Sequence, residues 1–178
     1  MLLLAIGLLM TGQAVLTPML MVIVMITGDF LAMSLTTDRV LPSQLPNSWQ
    51  IGKITSAGVI LGLCLLAFCT AVLAVGKYEM HFGIEQLRTL SVVAIVFGCQ
   101  ATIYAIRERR HLWGPRPTVW LVLSSMADIL IISTLAVGGF AMAPLPLSTV
   151  VCEFVAAAAF FLILDVAKIF IFARLKFT

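Results

Sequence analysis

The chain has 178 residues, of which 62% are apolar and 11% charged, with a mean hydropathy of +1.14. A soluble domain carries about a quarter of its residues as Asp, Glu, Lys or Arg, so water is excluded as the solvent for most of this chain and a lipid bilayer is expected in its place. Eleven Lys and Arg against eight Asp and Glu give a net charge of +3, too small and too scattered to build a nucleic-acid surface.

Met1 to Ala14 opens with an apolar run followed by small and polar residues, the outline of a signal peptide. No Lys or Arg precedes the run, so the basic start of such a peptide is missing. Residues 1–11 are only half a span and read as the end of a helix whose first half lies outside this chain. A membrane helix needs about 20 predominantly apolar residues, and five segments qualify: about 15–36, 54–76, 90–106, 118–140 and 148–171. Backbone polar groups must be satisfied internally in lipid, so these segments are helices. The expected fold is all-α: a polytopic helical membrane bundle of five full spans plus an N-terminal half-span, forming a single transmembrane domain over 1–178.

The connections alternate in charge. Arg39 and Lys53 fall in 37–53, Arg107, Arg109, Arg110 and Arg116 in 107–117, and Lys168, Arg174 and Lys176 toward the C-terminus. The 77–89 connection holds only Lys77 and Arg88, and the 12–14 and 141–147 turns hold no basic residue. By the positive-inside rule the basic group is cytoplasmic, which places the C-terminus inside and agrees with strict alternation of five spans plus the half-span. Trp49, Trp113 and Trp120 fall near the same ends, where interfacial aromatics belong. Pro42 and Pro46 break both helix and strand in the first basic loop. The longest polar connection is under about 20 residues, too short for a soluble domain.

Four acids fall inside spans: Asp29, Asp128, Glu153 and Asp165. An ionisable side chain there costs roughly 3 kcal/mol on insertion scales and is a functional candidate by default. Asp29 lies within about 5 Å of the middle of its span at 1.5 Å per residue, beside Gly28, which permits local unwinding. No Lys or Arg shares its depth. A carboxyl that is neutral in apolar surroundings and charged when hydrated has the properties of a proton carrier; a neutral, hydrogen-bonded structural Asp is the plainer reading. Asp128, near the middle of its span and close to Ser124 and Ser125, is expected either to tie helices together or to extend a polar pathway. Glu153 is expected nearer the outer surface, able to reach the interface. Asp165 and Lys168, three apart, share a helix face and are expected to form a structural ion pair.

Gly58 and Gly62 form a GxxxG in an apolar span, expected to receive another helix of the same chain. Cys64, Cys69, Cys99 and Cys152 all lie in apolar runs and read as small buried hydrophobes rather than a disulfide set or a metal site. His81 and His111 fall in loops. The sequence contains no Walker-type GxxxxGK[ST], no HExxH and no CxxC.

The stretch from Gly28-Asp29-Phe30 through Met33-Ser34 to Asp38-Arg39-Val40, followed by Pro42-Ser43 and Pro46-Asn47-Ser48-Trp49, resembles the sixth membrane helix and following loop of plasma-membrane proton-pumping P-type ATPases. That family has N-D-x-x-x-M-[ST], then D-[RN]-V, P-S and P-[DN]-x-W. Gln100-Ala101 leading to Arg107, Arg109 and Arg116-Pro117 resembles its eighth helix and exit loop. Leu164-Asp165-Val166-Ala167-Lys168 resembles the L-D-x-x-K of its tenth helix. The likeness covers essentially the whole chain, most strongly 18–49. It implies that residues 1–11 end the fifth helix and that the five spans are helices six to ten. It also implies that Asp29 is the membrane carboxylate that accepts and releases the transported proton by alternating access in the plasma membrane. Gly28 stands where the family has Asn, so the amide that would bond the protonated acid is missing.

The resemblance further implies ATP and Mg2+ as cofactors of a full pump, and catalytic domains and first membrane helices as partners in the same or another chain. The family's D-K-T-G-T, T-G-E-S and G-D-G-x-N-D are absent from these 178 residues, so this chain by itself is expected not to hydrolyse ATP. Two other readings remain beside the pump: a non-catalytic membrane scaffold or accessory subunit, and an unrelated carrier or channel whose acids line a pore.

Overall fold

The computed structural model describes residues 2–36, 51–107 and 118–174, except the side chains of 51, 53, 54, 106, 107 and 168–174. Every regular element among them is an α-helix: α1 (Leu2–Thr11), α2 (Pro18–Thr36), α3 (Ile51–Tyr78), α4 (Ile84–Arg107), α5 (Val119–Gly138) and α6 (Leu147–Arg174). Five are long and apolar enough to cross a bilayer, and α1 is the short apolar helix beside them. The spans expected from sequence are present. Three are longer than expected: α6 extends from Leu147 to Arg174, α3 from Ile51 to Tyr78 and α4 begins at Ile84, so Lys77 and Arg88 sit inside helices rather than in a loop.

Local chemistry sets the boundaries. Pro18 opens α2 at the position where its missing N–H is not needed, and the Thr17 hydroxyl accepts from Leu20 N–H at 3.4 Å. Gly139 closes α5 in the left-handed region at φ +69°, its N–H bonded to Leu135 C=O. Within the spans Ser34, Thr70, Ser91, Thr102 and Thr134 donate their hydroxyls to carbonyls three or four residues back, which hides these polar groups from lipid.

α4 is the centre of the bundle. Of its most apolar stretch 67% is buried, against 17–28% for the other four spans. α2, α3, α5 and α6 all pack on it, with α3 against α6, α6 against α5 and α5 against α2; α1 lies on α3. A cleft of about 770 Å³ between α2 and α3 is flanked by Leu4 of α1 and floored by Ile95 of α4. The outer faces are apolar: Leu9 is 85% exposed, Met33 71% and Ile163 64%. Such surfaces find their solvent in lipid, and the chain is a multi-pass membrane protein.

One end of the bundle is tied together by side chain to backbone bonds. Lys77 Nζ donates to Met10 C=O, Arg88 Nε to Ala14 C=O at 3.0 Å and Thr89 Oγ1 to Ala143 C=O at 2.9 Å. Arg88 also pairs with Glu85 at 2.5 Å. This end carries the 12–17, 79–83 and 139–146 connections. The nine basic residues expected on the opposite side, with Trp49, Trp113 and His111, have side chains outside the described residues.

The GxxxG expectation does not hold within this chain. Gly58 and Gly62 face outward, and a Cβ on either would meet nothing within 4 Å. The close approaches between α3 and α4 fall instead at Gly98 of α4, where a Cβ would fall 2.5 Å from Leu65 Cδ1 and 3.2 Å from Phe68, and at Gly76 of α3, which faces Leu87 and Leu90. The α3–α4 contact thus uses single glycines on facing helices. The cysteine expectation holds in part: all four are free, but only Cys69 is fully buried, whereas Cys152 is exposed.

Gly98→Val is expected to lower stability by about 1–3 kcal/mol through overpacking, whereas Gly58→Val and Gly62→Val leave it within about 0.5 kcal/mol. Thermal unfolding of the three variants in one detergent checks this ordering.

Candidate functional site

The ionisable groups of the spans fall into different surroundings, set by which helix face each occupies. On α2, Leu20, Thr27 and Leu31 form the buried stripe that packs inward. Asp29 lies about 180° around the helix from that stripe at 100° per residue, among the exposed Val22, Met25, Ile26 and Met33. It sits two residues past the middle of α2 and has no hydrogen-bond or ion-pair partner among the described residues. Gly28 beside it is exposed, with nothing within 4 Å of where a Cβ would stand. An unpaired charge at that depth is costly against lipid, so this face calls for a partner or for water that these helices do not provide.

Asp128 has the opposite setting. It lies at the middle of α5, 3% exposed, and accepts a hydrogen bond from Gln100 Nε2 of α4 at 2.7 Å. The same nitrogen lies 3.4 Å from Ser125 C=O. One turn along, Tyr104 OH donates to Ser125 Oγ at 2.9 Å. Gln100 and Tyr104 are four apart on α4, and Ser125 and Asp128 three apart on α5, so each pair presents one face to the other helix. A cleft of about 300 Å³ opens beside them, lined by Gln100, Tyr104, Ser125, Phe154 and Phe161. The arrangement joins two helices by side-chain hydrogen bonds across an otherwise apolar contact. Tyr104 was absent from the sequence candidates, although its i+4 spacing from Gln100 is a readable signal.

Glu153 departs from expectation. In place of a side chain reaching the interface, it is 4% exposed and turned into the bundle. It shares the buried stripe Val150, Glu153, Ala157, Phe160, Leu164, whose 3–4 spacing is the face α6 packs on α4. Neither carboxyl oxygen has a hydrogen-bond partner, and neither does the hydroxyl of Thr149 one turn earlier. Asp165 is also buried, at 8%; its expected partner Lys168 has a side chain outside the described residues. The structure brings Gln100 and Asp128 together and leaves Asp29 and Glu153 apart from them on other helix faces. Among the described residues no cluster of three His, Cys, Asp or Glu could hold a metal ion.

No family model matches the chain. Over 169 residues it is 25% identical to a Methanocaldococcus jannaschii protein described as a “putative cation-transporting ATPase”. The alignment takes in 94% of this chain and 21% of the relative, so the chain spans about a fifth of the length of that protein. A membrane region related to cation-transporting ATPases is therefore supported across nearly all of the sequence.

Gln100→Leu leaves Asp128 buried without its donor and is expected to destabilise the protein by about 1–3 kcal/mol. Asp128→Asn keeps an acceptor for Gln100 and is expected to cost less. Unfolding midpoints of the two variants, compared in the same detergent, check the order.

Proposed function

We propose that this chain is the ion-translocating membrane region of a P-type cation pump of the plasma-membrane proton-pumping kind, with Asp29 as the carboxyl that takes up and releases the transported ion. The observation that carries the reading is the position of Asp29. It is a mid-membrane acid on a face of α2 that is exposed among the described residues. It also lies within the sequence stretch that most resembles the pump family. The alignment with a cation-transporting ATPase relative over 94% of the chain supports the same assignment.

In this mechanism the face bearing Asp29 lines the ion path together with helices contributed by the remainder of the pump. A neutral, protonated Asp29 is tolerated in dry apolar surroundings, and hydration from one side lets it give up the proton. Asp128, held by Gln100, braces α5 against α4 so that the exposed face of α2 keeps its orientation. The cytoplasmic placement of the C-terminus and the plasma-membrane location belong to this proposal. ATP and Mg2+ belong to the whole pump.

Gly28 in place of the family's Asn favours a second reading, a membrane scaffold that keeps the helices without the transport chemistry. One substitution separates the two. In the full-length gene product, Asp29→Asn is expected to reduce ion pumping in vesicles to background while membrane insertion is retained; undiminished pumping by that variant would reject the ion-site reading and leave the scaffold.

A further inference from the structure

The carboxyl of Glu153 has no role in the reading above, yet it is the acid most completely enclosed without a partner. Its two oxygens and the Thr149 hydroxyl are three buried oxygen atoms on one face of α6 with no hydrogen bond among the described residues. Both residues line a groove of about 650 Å³ between α3 and α6, which also takes in Val72, Gly76 and Met80. Met80 is 45% exposed in the 79–83 connection, so the groove leads from Glu153 to the tied end of the bundle. Two turns deeper along α6 the rings of Phe68 and Phe160 stack at 4.6 Å across the same interface. On the α4 side Phe97 meets Phe154 edge-on at 5.8 Å.

The other titratable groups on the packed elements do not neutralise Glu153. α3 contributes Cys64 and Cys69 toward it, α4 contributes Cys99, and Asp128 of α5 is engaged by Gln100. At the tied end Lys77 is committed to Met10 C=O and Arg88 to Glu85 and Ala14 C=O, and His81 lies exposed in the 79–83 connection. An acid so placed has one small ligand that fits both its charge and its space, a proton. A threonine hydroxyl one turn away can accept from the acid or donate to the carboxylate.

We propose that Glu153, with the Thr149 hydroxyl one turn away, is a proton-binding site in the α3–α4–α6 interface that exchanges with the tied end of the bundle along the groove between α3 and α6. The site is separate from Asp29 and stands whether or not Asp29 carries a transported ion.

Infrared spectroscopy of the purified chain in lipid vesicles tests it through the carbonyl stretch of protonated carboxyl groups. The expected result is a band that is lost in Glu153→Gln, persists in Asp29→Asn, shifts when the vesicles are moved into D2O, and disappears as the buffer is made alkaline. The D2O shift and the titration are read on the unmodified protein, so they do not depend on a variant folding. Thr149→Val is expected to displace the band by replacing the hydroxyl one turn away with a methyl group, which makes the surroundings of the carboxyl less polar. A band unchanged by Glu153→Gln, or one assigned to Glu153 that neither shifts in D2O nor titrates, would overturn the proposal. An unshifted band in Thr149→Val would remove Thr149 from it.

Discussion

Within the hydrocarbon of a bilayer no water stands ready to accept a stray N–H or to hydrate a carboxyl, so each polar group must be satisfied by the protein or turned toward a place that supplies a partner. The placement of α4 follows from this constraint. It carries Thr89, Ser91 and Gln100 within its span, all 5% exposed or less, and these groups are served by a carbonyl of the α5–α6 connection, a carbonyl of α4 itself and Asp128. A helix with that many polar groups is better enclosed by its neighbours than set against lipid. α2, α3, α5 and α6, each more apolar on average than α4, can then take the outer positions, where most of their surface meets hydrocarbon.

The same constraint sorts the acids. Asp128 is satisfied locally and works as a brace between α4 and α5. Asp29 is satisfied by nothing in these helices and points outward from the bundle. Glu153 is enclosed but unbonded, with Thr149 as its nearest polar companion on α6. Three carboxyls at comparable cost to insert are therefore suited to three different tasks. What separates them is the helix face each occupies, because burial and partner choice change around a helix within 100° steps while depth changes by only about 1.5 Å per residue.

The relation to a much longer cation-transporting ATPase relative fits this division. In the transport role proposed above, a carboxyl is reached by two environments in turn while its helix moves against a rigid frame. The braced α4–α5 pair and the bonds at the tied end would supply that frame, and the open face of α2 and the cleft beside α3 leave room for further helices. Small residues belong to both parts. Gly98 and Gly76 let α3 and α4 approach closely, and the outward Gly58 and Gly62 leave a smooth strip on α3.

Composition and apolar run length were enough to establish a membrane bundle and the number of its spans, because the bilayer demands about 20 apolar residues per helix and leaves no other backbone solution. Sequence also marked Asp29, Asp128, Glu153 and Asp165 as groups out of place in lipid. It did not reveal which faces turned inward, since spans that are apolar all round carry no periodic signal. Hence Gly58 and Gly62 promised a contact that Gly98 and Gly76 make, and Glu153, expected at the interface, lies buried. The pairing of Gln100 with Asp128 joins residues 28 positions apart, and the central place of α4 depends on four neighbours packing at once. Those relations exist only after the helices pack, and it was packing that decided which acid is braced, which is enclosed and which is left facing outward.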